Sequence, residues 1–261
     1  MPATDSELRH MFDLTGHVGI VTGGSGGLGR MAAQGLAAFG ADLVLVGRDT
    51  TKLDAARKVV EGRRRKVICL TVDVSDPDAV EKMVRETLQT FRRIDFLVNA
   101  HGMNFRMPTD KMPIEEWDRV IDVNLRGVFL TCRAVGKAMI ERRQGKIVNI
   151  SSTSGALGYA TGYSAYSPSK AGVDALTRTL AAEWGRHNIN VNSVAPYFIE
   201  TEMTRAVLGM KEFRDTVLAG LPLKRIGKPL DAAGAVVFLC SHASDWITGQ
   251  TIYIDGGRTI A

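Results

Sequence analysis

His17-Val-Gly-Ile-Val-Thr-Gly-Gly-Ser-Gly-Gly-Leu-Gly29 is a short apolar run that breaks into glycines and continues as a helical pattern through about Phe39. The order is strand, glycine-rich turn, helix. Such a turn brings backbone N–H groups close to a pyrophosphate, and the helix dipole adds positive potential at the same place. The spacing is Thr22-Gly23-x-x-x-Gly27-x-Gly29, not the commoner Gly-x-Gly-x-x-Gly. A plain strand-to-helix turn needs far fewer glycines. The stretch therefore predicts an α/β fold with a dinucleotide site at the carboxyl end of its first strand.

The alternation continues outward from there. Strands are predicted at 42–46, 67–72, 94–98, 146–150, 189–194 and 251–254. Helices are predicted at about 50–61, 77–91, 114–142 in two pieces, 164–186, 202–219 and 230–241. Strands separated by helices indicate right-handed crossovers and a parallel sheet, here of about seven strands, doubly wound and Rossmann-like. No linker or repeat interrupts the pattern, so residues 1–261 read as a single NAD(P)-binding oxidoreductase domain.

Composition excludes several classes. With 261 residues, 45% hydrophobic and 23% charged, the chain reads as an ordinary globular protein. A net charge of +5 is modest, and the basic cluster Arg63-Arg-Arg-Lys66 falls between a helix and a strand, as a solvated loop. No nucleic-acid partner is expected. Cys69, Cys132 and Cys240 lie in apolar segments without metal spacing and read as buried thiols in a reducing compartment. No apolar segment near the N-terminus or later reaches membrane-spanning length, so no membrane association and a cytoplasmic location are expected. The five histidines are scattered, and no metal is required.

The second decisive stretch runs from Ile150 to Lys170. Tyr166 and Lys170, four apart on a helix, share a face. An ammonium beside a phenol favours the phenolate, so the Tyr166 pKa is expected to fall below its ordinary value of about 10. Ser151 and Ser152 offer hydroxyls to a reacting oxygen, and Pro168 fits the first helical turn.

Together with Asp73-Val74, Asn99-Ala-x-Gly102, Asn124 in Val123-Asn-Leu-Arg-Gly127 and Pro196, these motifs resemble the short-chain dehydrogenase/reductase family in order and spacing, from about residue 12 to 257. The resemblance implies strand order 3-2-1-4-5-6-7 and hydride transfer between a nicotinamide and a carbonyl or secondary alcohol. It implies that Asn124, Ser152, Tyr166 and Lys170 are catalytic: Tyr166 as acid–base, Ser152 orienting the substrate oxygen, Lys170 holding the nicotinamide ribose, Asn124 supporting a water chain. Cofactor contacts are implied for Gly23, Ser25, Gly27, Leu28 and Gly29 in the turn, and for Arg48, Asp73 and Val74 after the next strands. Asn99, Ala100 and Gly102 follow, then Tyr166 and Lys170 again, and finally Pro196, Ile199 and Thr201. Thr201 is expected near the nicotinamide amide. A non-enzymatic nucleotide sensor on the same fold would be free to lose Tyr166 or Lys170; both are present.

Three departures stand out. His101 replaces a small residue and reads as a structural variant, not a new acid–base. Tyr197 follows Pro196 where glycine is usual and is expected to face substrate. Ser152 lies fourteen residues before Tyr166, one more than usual, which leaves Thr153 at the usual offset; the continuous match Ile150-Ser-Ser-x-x-Gly155 favours Ser152.

Within the family, Phe12–Gly16, Asn104-x-Arg106-x-Pro108 and Pro196–Thr204 resemble gluconate 5-dehydrogenases and related sugar-acid dehydrogenases. The 3-oxoacyl-carrier-protein reductases share most of these motifs. Gly47 stands where NAD-binding chains carry a carboxylate and Arg48 follows, which predicts NADP over NAD. Arg106, flanked by Phe105, Met107 and Pro108 as a shield from water, is expected to bind a substrate carboxylate, and Glu200, Glu202 and Arg205 on the facing loop to help bind its hydroxyl groups. The resemblance also implies a homotetramer; Val128, Leu130, Ala134 and Val135 fit burial between subunits and equally a two-sided position in the core.

Overall fold

The computed structural model describes residues 4–261. A short helix, α1 (Asp5–His10), precedes β1 (Val18–Thr22), α2 (Gly27–Ala38), β2 (Asp42–Gly47), α3 (Thr50–Glu61), β3 (Val67–Thr71), α4 (Pro77–Phe91) and β4 (Phe96–Asn99). Then come α5 (Ile114–Ile121), α6 (Gly127–Arg142), β5 (Gly145–Ile150), α7 (Tyr166–Trp184), β6 (Ile189–Pro196), α8 (Glu202–Leu208), α9 (Lys211–Ala219), α10 (Pro229–Cys240) and β7 (Thr251–Ile254). The seven strands form one sheet in the order β3-β2-β1-β4-β5-β6-β7, every neighbouring pair parallel.

The central strands β1, β4, β5 and β6 are buried nearly throughout, as their apolar runs require of strands covered on both faces. One core lies under α4, α6 and α7 and includes Val128, Leu130, Val135, Met139, Val173 and Trp184. The other lies under α2, α3 and α10 and includes Leu36, Leu45, Leu53, Phe96, Val148 and Val237. Val128, Leu130, Ala134 and Val135 are thus all buried inside one chain, the second of the two positions their sequence fits. The reason is that α6 packs on the sheet, on α4 and on α7 at once, so more than one of its faces is internal.

Near the carboxyl ends of the strands, one row of the sheet is polar. Thr22, Asn99, Asn149, Ser193 and Thr251 are register partners across β1, β4, β5, β6 and β7. The Asn99 amide donates to Asn149 Oδ1 at 2.9 Å, and the Asn149 amide donates to Thr177 at 2.9 Å. Thr177 and Ser193 hydroxyls lie 2.8 Å apart. Buried polar groups persist only when paired, and this row pairs its members with one another.

At the opposite end Asp95, with its side chain 5% exposed, joins β1 to α6. Its carboxylate accepts from Val18 N–H at 2.8 Å, from Arg93 at 2.7 and 2.8 Å, and from Arg142 at 3.2 Å. Desolvation works to raise its pKa, but the Arg93 hydrogen bonds, the Val18 N–H and both guanidinium charges outweigh it and hold the carboxyl below its ordinary value. A depressed carboxyl contributes stability above its unfolded pKa of about 4 and loses it as pH falls through the folded value. Asp95→Ala should cost about 2–3 kcal/mol in denaturant unfolding at neutral pH, because it leaves a buried N–H and two arginines unpaired. The difference from wild type should shrink in acid; an equal difference at pH 7 and pH 3 would contradict this role.

Several boundaries differ from expectation. The 114–142 segment holds a π-helical turn, Asp122–Arg126, between α5 and α6. The 202–219 segment is two helices, broken at Gly209-Met210. The helix expected from 164 begins at Tyr166, which puts Pro168 in its first turn. Helix α1 was not expected, although Thr4 and Glu7 form a capping box.

Candidate active site

Two clefts open at the carboxyl ends of the strands. The first, of about 450 Å³, runs along the glycine-rich turn and is lined by Gly23, Ser25, Gly27, Leu28 and Gly29, by Arg48, Lys52, Asp73 and Val74, and by Ala100, His101, Gly102 and Thr201. Gly23 has φ +64° and lies so close to the next strand's end that a Cβ would sit 2.6 Å from Ala100 O. A Cβ on Gly29 would collide with Gly23 O. Only glycine allows this packing. The N-cap of α2 is Gly26, with no side chain closing the first N–H groups, so the turn keeps donors free for an anion. These features fit a dinucleotide.

Arg48 is exposed at the end of this cleft. Among the described residues no carboxylate lies within ion-pair distance of it, and Asp49 instead caps α3 by accepting from Lys52 N–H at 3.0 Å. Lys52 reaches Glu202 at 2.7 Å on the rim. Asp73 accepts from the Ser75 hydroxyl and N–H, which together with the nearby Arg48 hold its carboxyl below the ordinary value. Thr201 packs on Gly27, its methyl 2.8 Å from where a Cβ would stand. Pro196 and Ile199 are buried behind the cleft, and Ile199 is bridged to Gly227.

His101 is buried, with Nδ1 2.6 Å from the Thr22 hydroxyl and Nε2 without a partner. Burial, with the Lys170 charge, pushes its pKa down to about 3. It is a neutral wall residue.

The second cleft, of about 340 Å³, is lined by Asn104, Phe105 and Arg106, by Ser152–Ser154, Tyr159, Tyr163 and Tyr166, and by Tyr197, Phe198, Met203, Thr204 and Val207. Ser152 faces Tyr166, while the Thr153 hydroxyl lies 3.5 Å from that of Tyr159. The Lys170 ammonium donates to Ile150 O at 2.7 Å and lies 5.7 Å from the Tyr166 ring centre. Asn124, carried by the π-helical turn, accepts from Met103 N–H at 2.8 Å and donates to Met103 O at 2.9 Å and to Ser169 at 3.1 Å. It clamps the loop after β4. Such turns recur at functional sites because they re-aim one side chain within a helix.

Three expectations need correction. The Tyr166 phenol is not lowered: burial pushes it up to about 12, against the opposing Ser152 hydrogen bond. Lys170 is itself lowered to about 8 by burial, with Asp174 opposing. The cause is that both groups are buried, so desolvation dominates, while the Lys170 ammonium gives a hydrogen bond to Ile150 O. Arg106 is not shielded by Phe105, Met107 and Pro108 but exposed, its guanidinium 4.6 Å over the Tyr163 ring. Glu200, Glu202 and Arg205 do not line this cleft; Glu202 pairs with Lys52 and Glu200 with Arg214 at 3.6 Å. Tyr159 and Tyr163, whose rings stack at 4.5 Å, were not singled out from sequence. Three tyrosines within eight residues, opening on the helix that carries Lys170, were the available signal.

Comparison with known proteins agrees with this geometry. A family model described as enoyl-(acyl carrier protein) reductase matches residues 23–259. Gluconate 5-dehydrogenase of Gluconobacter oxydans is 38% identical over 96% of this chain and 98% of its own. The 3-oxoacyl-[acyl-carrier-protein] reductase of Thermotoga maritima is 40% identical over 95% and 99%. A solved structure from Agrobacterium tumefaciens, of 2-deoxy-D-gluconate 3-dehydrogenase type and described with bound NADP, superposes with a TM-score of 0.90 at 34% identity over 96% of this chain and 99% of that one. The chain is an oxidoreductase of the short-chain dehydrogenase/reductase family.

Proposed function

We propose that the chain interconverts a carbonyl and a secondary alcohol on an anionic sugar acid, of the gluconate or 5-ketogluconate type, using NADP. The observation that carries the substrate class is the charge of the second cleft: its lining holds one guanidinium, Arg106, and no carboxylate. Resting on Tyr163 and free of an ion pair among the described residues, Arg106 presents its planar donors to a substrate carboxylate. The tyrosines offer apolar ring faces and hydroxyls to a polyhydroxylated chain. The 38% identity to a gluconate 5-dehydrogenase accords with this reading and the 40% identity to a 3-oxoacyl-[acyl-carrier-protein] reductase with the second one below, so the cleft's charge carries the choice.

In this proposal the residues of the first cleft would hold the dinucleotide, Arg48 its 2′-phosphate, and the cofactor would supply the hydride acceptor or donor. Tyr166 gives its hydroxyl proton to the carbonyl oxygen in reduction and receives it back in oxidation. Ser152 donates to the same oxygen and fixes it against the phenol. Lys170 brings a positive charge to this group and would hold the nicotinamide ribose. Asn124 keeps the Met103 loop in place beneath them.

Arg106→Leu should raise KM for the acid about tenfold or more and leave an uncharged ketone of similar size much less affected. An equal loss on both would assign Arg106 to loop support. Phe105, Phe198, Met203 and Val207 give the same cleft an apolar side that suits a 3-oxoacyl chain. Turnover of 3-oxoacyl thioesters in preference to sugar acids would establish that second reading instead.

A further inference from the structure

Asp174 lies one helical turn beyond Lys170 on α7, in a Tyr-x-x-x-Lys-x-x-x-Asp series that puts all three side chains on one face. It is buried, 6% exposed. Its carboxylate accepts from the Thr251 hydroxyl at 3.2 Å, with the hydroxyls of Ser151 and Ser193 beside it, and burial raises its own pKa against these hydroxyls. Ser193 is tied through Thr177 to Asn149 and Asn99, so the carboxylate terminates the polar row of the sheet. Ser151 in turn donates to Lys170 O at 3.2 Å. The loop after β5 closes over the group: a Cβ on Gly155 would stand 2.9 Å from Asp174 Oδ2.

We infer that Asp174 is a positioning residue for the reaction: a buried counter-charge one helical turn from Lys170, held by the Thr251 hydroxyl of β7 and set among the hydroxyls of Ser193 on β6 and Ser151 just after β5, that supports the charge of the Lys170 ammonium. This rests on the role proposed above for Lys170. The groups facing Lys170 are Tyr166 and Asp174 from its own helix, His101 from the loop after β4 and Asn124 from the π-helical turn. His101 is neutral above about pH 3, and Asn124 does not titrate. Arg178, on α7, and Tyr253, on β7, face Asp174 from its other side. Burial works against the lysine's charge, and Asp174 is the group that supports it. An uncharged lysine would still accept or donate a hydrogen bond but would no longer favour the nicotinamide ribose or the reacting phenol electrostatically.

The test is the pH profile of kcat/KM for reduction, where Tyr166 stays protonated throughout and the alkaline limb reports Lys170. In the wild type that limb is expected near the lowered Lys170 value of about 8. Asp174→Asn, close in shape but without charge, should move the limb down by about one pH unit. The loss at pH 8.5 should then exceed the loss at pH 6 by about fivefold or more. Asp174→Glu, which restores the charge, should return the limb toward its wild-type position whatever its effect on kcat. Asp174→Ser, smaller and able to hold a water among the hydroxyls, reads the same limb if the amide folds poorly. A uniform loss at every pH, or a limb that stays in place in both uncharged variants, would overturn the inference and leave Asp174 a packing residue. Absence of wild-type turnover on any carbonyl would instead overturn the reading of the site itself.

Discussion

Tyr166→Phe should fold, bind the dinucleotide and lose turnover by about 10²- to 10⁴-fold, the usual contribution of a positioned acid–base group. The substitution removes one hydroxyl and keeps the ring that packs edge-on to Tyr163 at 6.2 Å. With the phenol pushed up to about 12 by burial, the enzyme holds it protonated at neutral pH, ready to donate in reduction. Oxidation must instead start by withdrawing that proton. Steady-state kinetics in both directions, with unfolding curves and dinucleotide titrations as controls, check this. Activity within tenfold of wild type would remove Tyr166 from the reaction.

Arg48→Ala is expected to have the next largest effect, on cofactor choice. A charge-assisted hydrogen bond to a phosphate is worth about 1.5–3 kcal/mol, or about ten- to hundredfold in Kd. Gly47 offers no carboxylate to repel a 2′-phosphate, and Arg48 is free of Asp49, which is committed to the cap of α3. The variant should therefore weaken NADP selectively and leave NAD nearly unchanged. Fluorescence titration with both reduced cofactors reads the ratio directly. Equal NAD and NADP affinities in the wild-type protein would contradict the assignment. Lys52 also lines this cleft and is held by Glu202, so its substitution is the control for a general loss of positive potential.

The fold was legible because its signals are local. The glycines of the first turn, the apolar runs of the strands and the Asp76-Pro77 start of α4 each specify their own element, and the order of elements then allows few topologies. The break at Gly209-Met210 was missed because one glycine inside a helical pattern does not by itself end a helix. The π-helical turn was invisible for a different reason: one shifted backbone hydrogen bond leaves hydrophobic periodicity almost unchanged while turning Asn124 onto Met103. Apolar residues on several faces of α6 read equally as a subunit contact or as a two-sided core position, because sequence does not say how many neighbours a helix has within its own chain.

At the site, spacing brought Tyr166 and Lys170 to one face but could not weigh desolvation against charge. That balance depends on Ile150 O, which takes the Lys170 hydrogen bond, and on the burial of both groups. Arg106 was picked out by its place in the loop after β4, yet its stacking partner Tyr163 comes from a segment more than fifty residues later. Contacts between distant segments are properties of the fold, and no local pattern announces them.

The central claim is that this cleft carries out nicotinamide-dependent chemistry on an anionic hydroxy or keto acid. Its most direct measurement is the absorbance of reduced nicotinamide with the wild-type protein, offered 5-ketogluconate and gluconate beside 3-oxoacyl thioesters and uncharged ketones, each with NADP(H) and NAD(H). The account predicts the highest kcat/KM for the sugar acids with the phosphorylated cofactor. Higher kcat/KM for the thioesters or the neutral ketones would contradict it.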